Sequence, residues 1–69
     1  MPVYVFKTSV LKENFDEVGQ MLNEVLPDSK WNFDFEDVDN ILRVESTVDI
    51  SSLVIQKLNE SQFFCEELE

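Results

Sequence analysis

The side chains of this 69-residue chain that could do chemistry are mainly carboxylates and a single thiol, because the sequence contains no histidine. Nucleophilic pairs of the Ser–His and Cys–His types are therefore excluded, and so is an imidazole general base. The thiol, Cys65, stands beside Glu66 and Glu67. Neighbouring negative charge raises the pKa of a thiol and suppresses its nucleophilicity. The composition predicts a protein that is not an enzyme and that carries no cofactor.

Four carboxylates lie close together in the sequence, at Asp34, Glu36, Asp37 and Asp39. Clustered oxygen ligands could hold Ca²⁺ weakly, but the segment lacks the central glycine and closing glutamate of an EF-hand loop. Asp34 and Glu36 alternate with aromatic residues, which favours the solvated face of a strand with Arg43 as a counter-charge across a hairpin. We favour this structural role, and weak Ca²⁺ binding stays an open alternative.

Acidic residues outnumber basic ones by fifteen to five, which gives a net charge of −10. Nucleic-acid affinity depends largely on Lys and Arg contacts to phosphates, so we expect no nucleic-acid partner. The same charge disfavours anionic membranes, and no apolar run approaches the roughly 18 residues of a spanning helix. A lone cysteine cannot form an internal disulfide, which favours a reducing compartment. We therefore expect a cytoplasmic protein.

The periodicity of apolar residues predicts two strands and a helix in the first half of the chain. Pro2 to Phe6 is rich in β-branched and aromatic residues and is typical of a strand, with Tyr4 and Phe6 directed inward. Ser9 is the expected N-cap of the first helix, which Pro27 ends. The buried stripe of that helix is predicted at Leu11, Phe15, Val18, Leu22 and Val25 or Leu26. Trp31, Phe33 and Phe35 then alternate with polar residues and predict a strand with its aromatic face in the core.

A turn over Asp37 to Asn40 and a returning strand over residues 41–46 complete a hairpin, with Leu42 and Val44 inward. Asp49 is the expected cap of a second helix, whose predicted stripe is Ile50, Leu53, Val54 and Leu58. Residues 63–68 could extend that helix, but two adjacent aromatics favour a short closing strand. The order β-α-β-β-α-β predicts a single α+β domain over residues 1–69. We expect a ferredoxin-like sandwich with a four-stranded antiparallel sheet and two helices on one face.

This layout, and the strand-loop-helix entry over Thr8 to Val18, resembles the heavy-metal-associated domain of copper chaperones and metal-transport ATPases. In that family the first loop carries C-x-x-C, and a hydrophobic helix residue follows the second cysteine by four positions. Placing Val18 at the hydrophobic position puts Leu11 and Asn14 where the two thiolates would be. The resemblance implies soft-metal binding, but leucine cannot ligate a metal and a lone amide suits a soft ion poorly. We therefore expect the fold without metal binding, and with Leu11 continuing the helix stripe.

The sheet face without helices is the predicted functional surface. It is expected to carry Val3, Val5, Ile41 and Phe64, with Arg43 in a charged rim, and such a surface is typical of a modest protein interface. The predicted function is a non-catalytic module that binds an unknown protein partner or forms a homodimer. The alternative is a small-ligand sensor similar to ACT regulatory domains, which bind amino acids at ferredoxin-like dimer interfaces. That family uses a glycine-containing loop after its first strand, and this loop has no glycine.

Overall fold

A computed structural model describes residues 2–36 and 40–68 of the chain. It confirms the α+β ferredoxin-like layout, with two helices and a four-stranded antiparallel sheet. The elements in chain order are β1 (Val3–Thr8), a short 3₁₀ helix (Lys12–Asn14), α1 (Phe15–Val25), β2 (Lys30–Asp34), β3 (Ile41–Glu45), α2 (Ser51–Glu60) and β4 (Cys65–Leu68). Asp16 and Glu17 lie in the first turn of α1, where carboxylates favour the positive end of the helix dipole.

The strand order is β2-β3-β1-β4, so β1 and β3 are central while β2 and β4 form the edges among the described strands. All three pairings are antiparallel, and Phe6 lies opposite Leu42, which in turn lies opposite Phe33. Successive side chains of a strand point to opposite faces. This register therefore places Phe6, Leu42 and Phe33 on the helix-covered face of the sheet.

The core contains most of the predicted stripe of each helix, with Leu11 and Phe15 as the exceptions. Val18, Leu22 and Leu26 of the first segment are buried with Ile50, Val54 and Leu58 of the second. Phe6, Leu42 and Val44 supply the sheet side as predicted, and Tyr4, Leu53, Trp31, Phe33 and Phe35 pack against this core while remaining partly exposed. Val10 is also fully buried, although it precedes the helical periodicity and the sequence pattern did not identify it.

The loop between β1 and α1 differs from the prediction in three residues. The Ser9 side chain does not cap α1, because its Oγ accepts a hydrogen bond from the Phe64 N–H at 2.8 Å and so joins the loop to β4. The 3₁₀ helix intervenes, so Leu11 precedes the helix instead of continuing its buried stripe and is 49% exposed. Phe15 opens α1 and is 41% exposed, because its ring contacts aromatic side chains of β2 rather than the core centre.

The chain between α2 and β4 confirms a closing strand over residues 65–68 rather than an extended helix. Gln62 adopts a left-handed conformation, with φ at 70°, and the Phe63 N–H donates to the Leu58 carbonyl at 2.8 Å. The Gln62 N–H donates to the Asn59 carbonyl at 3.0 Å, which completes a Schellman motif. At the other end of α2 the N-cap is Ile50 and not the predicted Asp49, although Asp49 Oδ1, one residue earlier, accepts the Ser51 N–H at 2.9 Å.

Candidate functional site

The loop over Leu11 to Asn14, which the resemblance places at the C-x-x-C position, is closed by two hydrogen bonds between these residues. The Leu11 N–H donates to Asn14 Oδ1 at 3.1 Å, and the Asn14 N–H donates to the Leu11 carbonyl at 2.8 Å. The two positions therefore lie together at the entrance to α1, with the Asn14 amide oxygen occupied by a backbone donor. Among residues 2–36 and 40–68, no group of three or more His, Cys, Asp or Glu side chains is arranged to hold a metal ion.

The sheet surface opposite the helices, here called the open face, is built from alternate residues of four strands. Strand register arranges them in rows that cross the sheet. One row is Lys30, Glu45 and Val3; the next is Asn32, Arg43, Val5 and Leu68; the third is Asp34, Ile41, Lys7 and Glu66. Phe64 follows at the margin, where its carbonyl accepts the Ser9 N–H at 3.1 Å.

The residues predicted for an interface differ widely in how much surface they expose. Val3 and Phe64 are each 51% exposed, and Val5 and Arg43 are half-buried. Ile41 lies on this face as predicted but is only 5% exposed, so it contributes almost no surface to an approaching partner. Leu68 is 37% exposed beside Val5, and it was missed because residues 63–68 carry no clear alternating pattern.

The open face is electrically balanced, although the chain as a whole is strongly acidic. It carries Lys7, Lys30 and Arg43, which are three of the five basic residues in the sequence. Its strand rows carry three acidic residues, Asp34, Glu45 and Glu66, and Glu36 lies at the margin beside Asp34 and Arg43. Among residues 2–36 and 40–68, most of the acidic residues therefore lie outside these rows.

Four aromatic rings form a second candidate surface, here called the aromatic cluster, between α1 and the edge strand β2. Phe15 contacts Trp31, Phe33 and Phe35 with ring centroids 5.8, 6.3 and 6.2 Å apart. Phe33 stacks on Phe35 at 5.1 Å, which is within the distance range of favourable aromatic pairs. The sequence pattern assigned Trp31, Phe33 and Phe35 to the core, but they are only partly buried and Phe15 is exposed.

The position of the Trp31 ring depends on two residues of α1. A Cβ atom added to Gly19 would lie 3.1 Å from the ring, so the absence of a side chain lets helix and strand approach closely. The indole Nε1–H donates to Asn23 Oδ1 at 3.0 Å. Trp31 is thus held against α1, and the outer side of the cluster is left uncovered.

The acidic turn is described only in part. Asp34 pairs with Arg43 at 3.8 Å, as predicted for a counter-charge across the hairpin, and its Oδ1 accepts the Glu36 N–H at 3.1 Å. Asn40 has φ at 47°, which agrees with the expected left-handed turn residue. Asp37 and Asp39 lie outside the described residues, so the Ca²⁺ alternative stays a prediction.

Cys65 is buried on the helix-covered face, opposite Thr8 of β1. Burial raises the pKa of its thiol from 9.0 to about 12, and the charge of Glu67 acts in the same direction. A thiol in this state is almost entirely protonated near neutral pH, so it lacks the thiolate that nucleophilic chemistry requires.

We expect this thiol to make the fold less stable in alkali. The unfolded chain loses the thiol proton near pH 9, whereas the folded chain keeps it up to about pH 12. The raised pKa therefore stabilises the fold fully below pH 9, and that stabilisation is lost as pH rises from 9 towards 12. Urea unfolding of the unchanged chain and of Cys65→Ala across this range measures the effect. The unchanged chain should lose stability more steeply, and parallel pH profiles would contradict the assignment.

Comparison of the chain with protein-family models, with curated proteins and with solved structures found no match. Neither helix of the described part is long and apolar enough to span a membrane.

Proposed function

We propose that this protein is a non-catalytic module that associates with a second copy of itself through the open face. The observation that carries the proposal is the electrical balance of that face on a molecule of net charge −10. Two copies that met through any strongly acidic surface would repel one another. Contact between two open faces avoids this repulsion, because basic and acidic residues alternate across the strands.

Exposed apolar side chains support association at the same place. Val3, Leu68 and Phe64 lie along one side of the open face, and Val5 lies between Leu68 and Arg43. Burial of apolar area stabilises association, while the charged rows fix the orientation of the two copies. The lack of histidine and the protonated, buried thiol support a non-catalytic role.

The size of the open face sets the expected strength of the dimer. Four strands spaced about 4.8 Å apart, each about five residues long, present a flat area on the order of 300–400 Å² per copy. Standard stable interfaces bury about 800 Å² per partner, so this dimer belongs with weak and transient associations. We expect a dissociation constant on the order of 0.1 mM.

Sedimentation equilibrium of the full chain, from about 0.05 to about 1 mM, tests the proposal. We expect a reversible monomer–dimer equilibrium. Arg43→Glu makes the centre of the open face of each copy more negative by two charges, so it should weaken the dimer at least tenfold. The Asp34–Arg43 pair is exposed, so its loss should cost only about 0–1 kcal/mol of folding stability.

Lys57→Glu is the matched control, since it makes the same change in net charge on α2, away from the open face. Its dimer should weaken much less than that of Arg43→Glu. A chain that remains monomeric at the highest concentration would refute the proposal. Equal weakening by the two substitutions would also refute it, because the effect would then come from total charge and not from the open face.

A further inference from the structure

We propose that the outer edge of β2, together with the aromatic cluster, binds an extended basic segment of another protein as an additional strand. This surface is separate from the open face, and the occupant is a different polypeptide rather than a second copy. The proposal rests on the hydrogen-bonding pattern of the sheet, on the incomplete burial of the aromatic cluster and on the charges that surround it.

The backbone of β2 has hydrogen-bonding groups directed away from the sheet. The Ser46 N–H donates to the Pro2 carbonyl at 3.2 Å, so the even-numbered residues of β3 face β1. In an antiparallel sheet this direction alternates along a strand, so the odd-numbered residues of β3 face β2. Glu45, Arg43 and Ile41 lie opposite Lys30, Asn32 and Asp34, which leaves the N–H and C=O groups of Trp31 and Phe33 pointing outward.

Trp31 and Phe33 also contribute side chains to the aromatic cluster, so an added strand would lie beside partly exposed aromatic rings. A residue that paired with Trp31 or Phe33 would place its own side chain on the helix-covered side, next to the rings. A hollow of about 380 Å³ lies there between Phe15, Phe33 and Phe35. Apolar side chains at alternate positions of the bound segment would cover rings that are now partly exposed. Recognition by strand addition combines backbone hydrogen bonds to the strand edge with packing of alternate side chains on the adjacent surface.

Charge selects the kind of segment. Lys12 is the one basic residue that lines this hollow among the described residues, and Glu13 and Asp16 line it as well. Glu36 follows β2 on the neighbouring surface, where Arg43 is already paired with Asp34. Glu13, Asp16, Asp34 and Glu36 outnumber Lys12, Lys30 and Arg43 around this edge by one, so a second copy would meet a small excess of like charge, whereas Lys and Arg side chains would be attracted. Cations could also lie against the exposed aromatic faces.

Trp31 is the only tryptophan of the chain, so its fluorescence reports directly on this site. The probe is a capped heptapeptide of alternating lysine and valine, added to the full chain at a concentration below that of self-association. We expect a saturable change in Trp31 emission. The corresponding glutamate–valine peptide should give none. A lysine–valine peptide with N-methylated valines should also fail to bind, because those amides are the ones that would face β2.

Two pairs of variants locate the binding site on the protein. Phe15→Ala should weaken binding about tenfold, and Phe64→Ala, which removes a similarly exposed ring from the open face, should leave it unchanged. Glu36→Lys should weaken binding several-fold, whereas Glu60→Lys makes the same charge change at the far end of α2 and should have little effect. Circular dichroism establishes that each variant is folded.

Several outcomes would overturn the proposal. The absence of a saturable signal at millimolar peptide would do so. Equal binding of the N-methylated peptide would show that attraction is electrostatic only. Equal effects of Phe15→Ala and Phe64→Ala would place the peptide elsewhere. A change in Trp31 emission on concentrating the chain alone, abolished by Phe15→Ala, would identify a second copy as the occupant. None of these outcomes depends on the open-face dimer, which is tested separately by Arg43→Glu.

Discussion

A chain in which both Leu11 and Asn14 are replaced by cysteine is expected to take up one Cu(I) ion, while the unchanged chain takes up none. The two positions lie together at the entrance to α1, where a 3.1 Å hydrogen bond now joins the Leu11 N–H to Asn14 Oδ1. Leu11 is half-exposed, so a cysteine there would be accessible to the ion. Two thiolates are soft ligands that select Cu(I), and the start of a helix lowers the pKa of a thiol.

Titration with Cu(I) under anaerobic conditions, in competition with a chromogenic chelator, measures the Cu(I) affinity of the double-cysteine variant. Cys65→Ala is introduced in every loop variant so that the new thiols are the only ones, and the chain with and without Cys65→Ala alone is measured beside them. Leu11→Cys and Asn14→Cys are the single-substitution controls, and each should fail to compete because one thiolate does not make a two-coordinate site. Failure of the double variant would mean that the loop does not correspond to the C-x-x-C loop, and the resemblance to the heavy-metal-associated domain would lose its support. Tight Cu(I) uptake by the unchanged chain would contradict the expected lack of metal binding.

Truncation of Phe6 to alanine is expected to unfold the protein at 25 °C. Phe6 is fully buried on the central strand β1, opposite Leu42. Removing a buried phenylalanine side chain costs about 3–5 kcal/mol in lost burial and in the cavity left behind. A single core of fewer than about 70–80 residues rarely supplies more than about 3–5 kcal/mol of stability. The stability lost on substitution therefore equals or exceeds the total free energy of unfolding of the protein.

Urea unfolding followed by circular dichroism tests this prediction against two other variants. Phe64→Ala removes the same ring from an exposed position and should change stability by less than about 1 kcal/mol. Phe6→Leu retains most of the buried volume and should give a folded protein of reduced stability. A Phe6→Ala chain that still unfolds cooperatively, with a loss below about 1 kcal/mol, would show that the core tolerates collapse around this position.

The ferredoxin-like arrangement is confirmed by the strand order β2-β3-β1-β4 and by the two helices. Self-association, peptide binding and the lack of metal binding stay predictions, each linked to an experiment on particular residues. Phe15 and Arg43 are the most informative positions, because Phe15 lies only in the aromatic cluster, and Arg43 lies at the centre of the open face while also bordering the hollow beside Phe33 and Phe35.

The sequence alone determined the order of elements and most of the core. Alternation predicted that Trp31 and Phe33 would lie on the helix side of β2, and helical spacing predicted the burial of Val18, Leu22, Val54 and Leu58. These features are local, because the period of apolar residues follows from the geometry of a single helix or strand. The lack of histidine is likewise a property of the composition, and it excludes imidazole chemistry whatever the fold.

Only the tertiary structure decided how completely each side chain is covered, because coverage depends on neighbours that are distant in the chain. Ile41 has the sequence context of an exposed residue, yet it is buried on the open face. Phe15 has the spacing of a core residue, yet it is exposed because the preceding 3₁₀ helix shifts it towards the sheet edge. The balance of charge on the open face likewise arises from pairing β1 with β3 and β4, which brings Lys7 beside Glu66 across 59 positions of the chain. The periodicity of apolar residues along a chain does not predict which distant strands will pair.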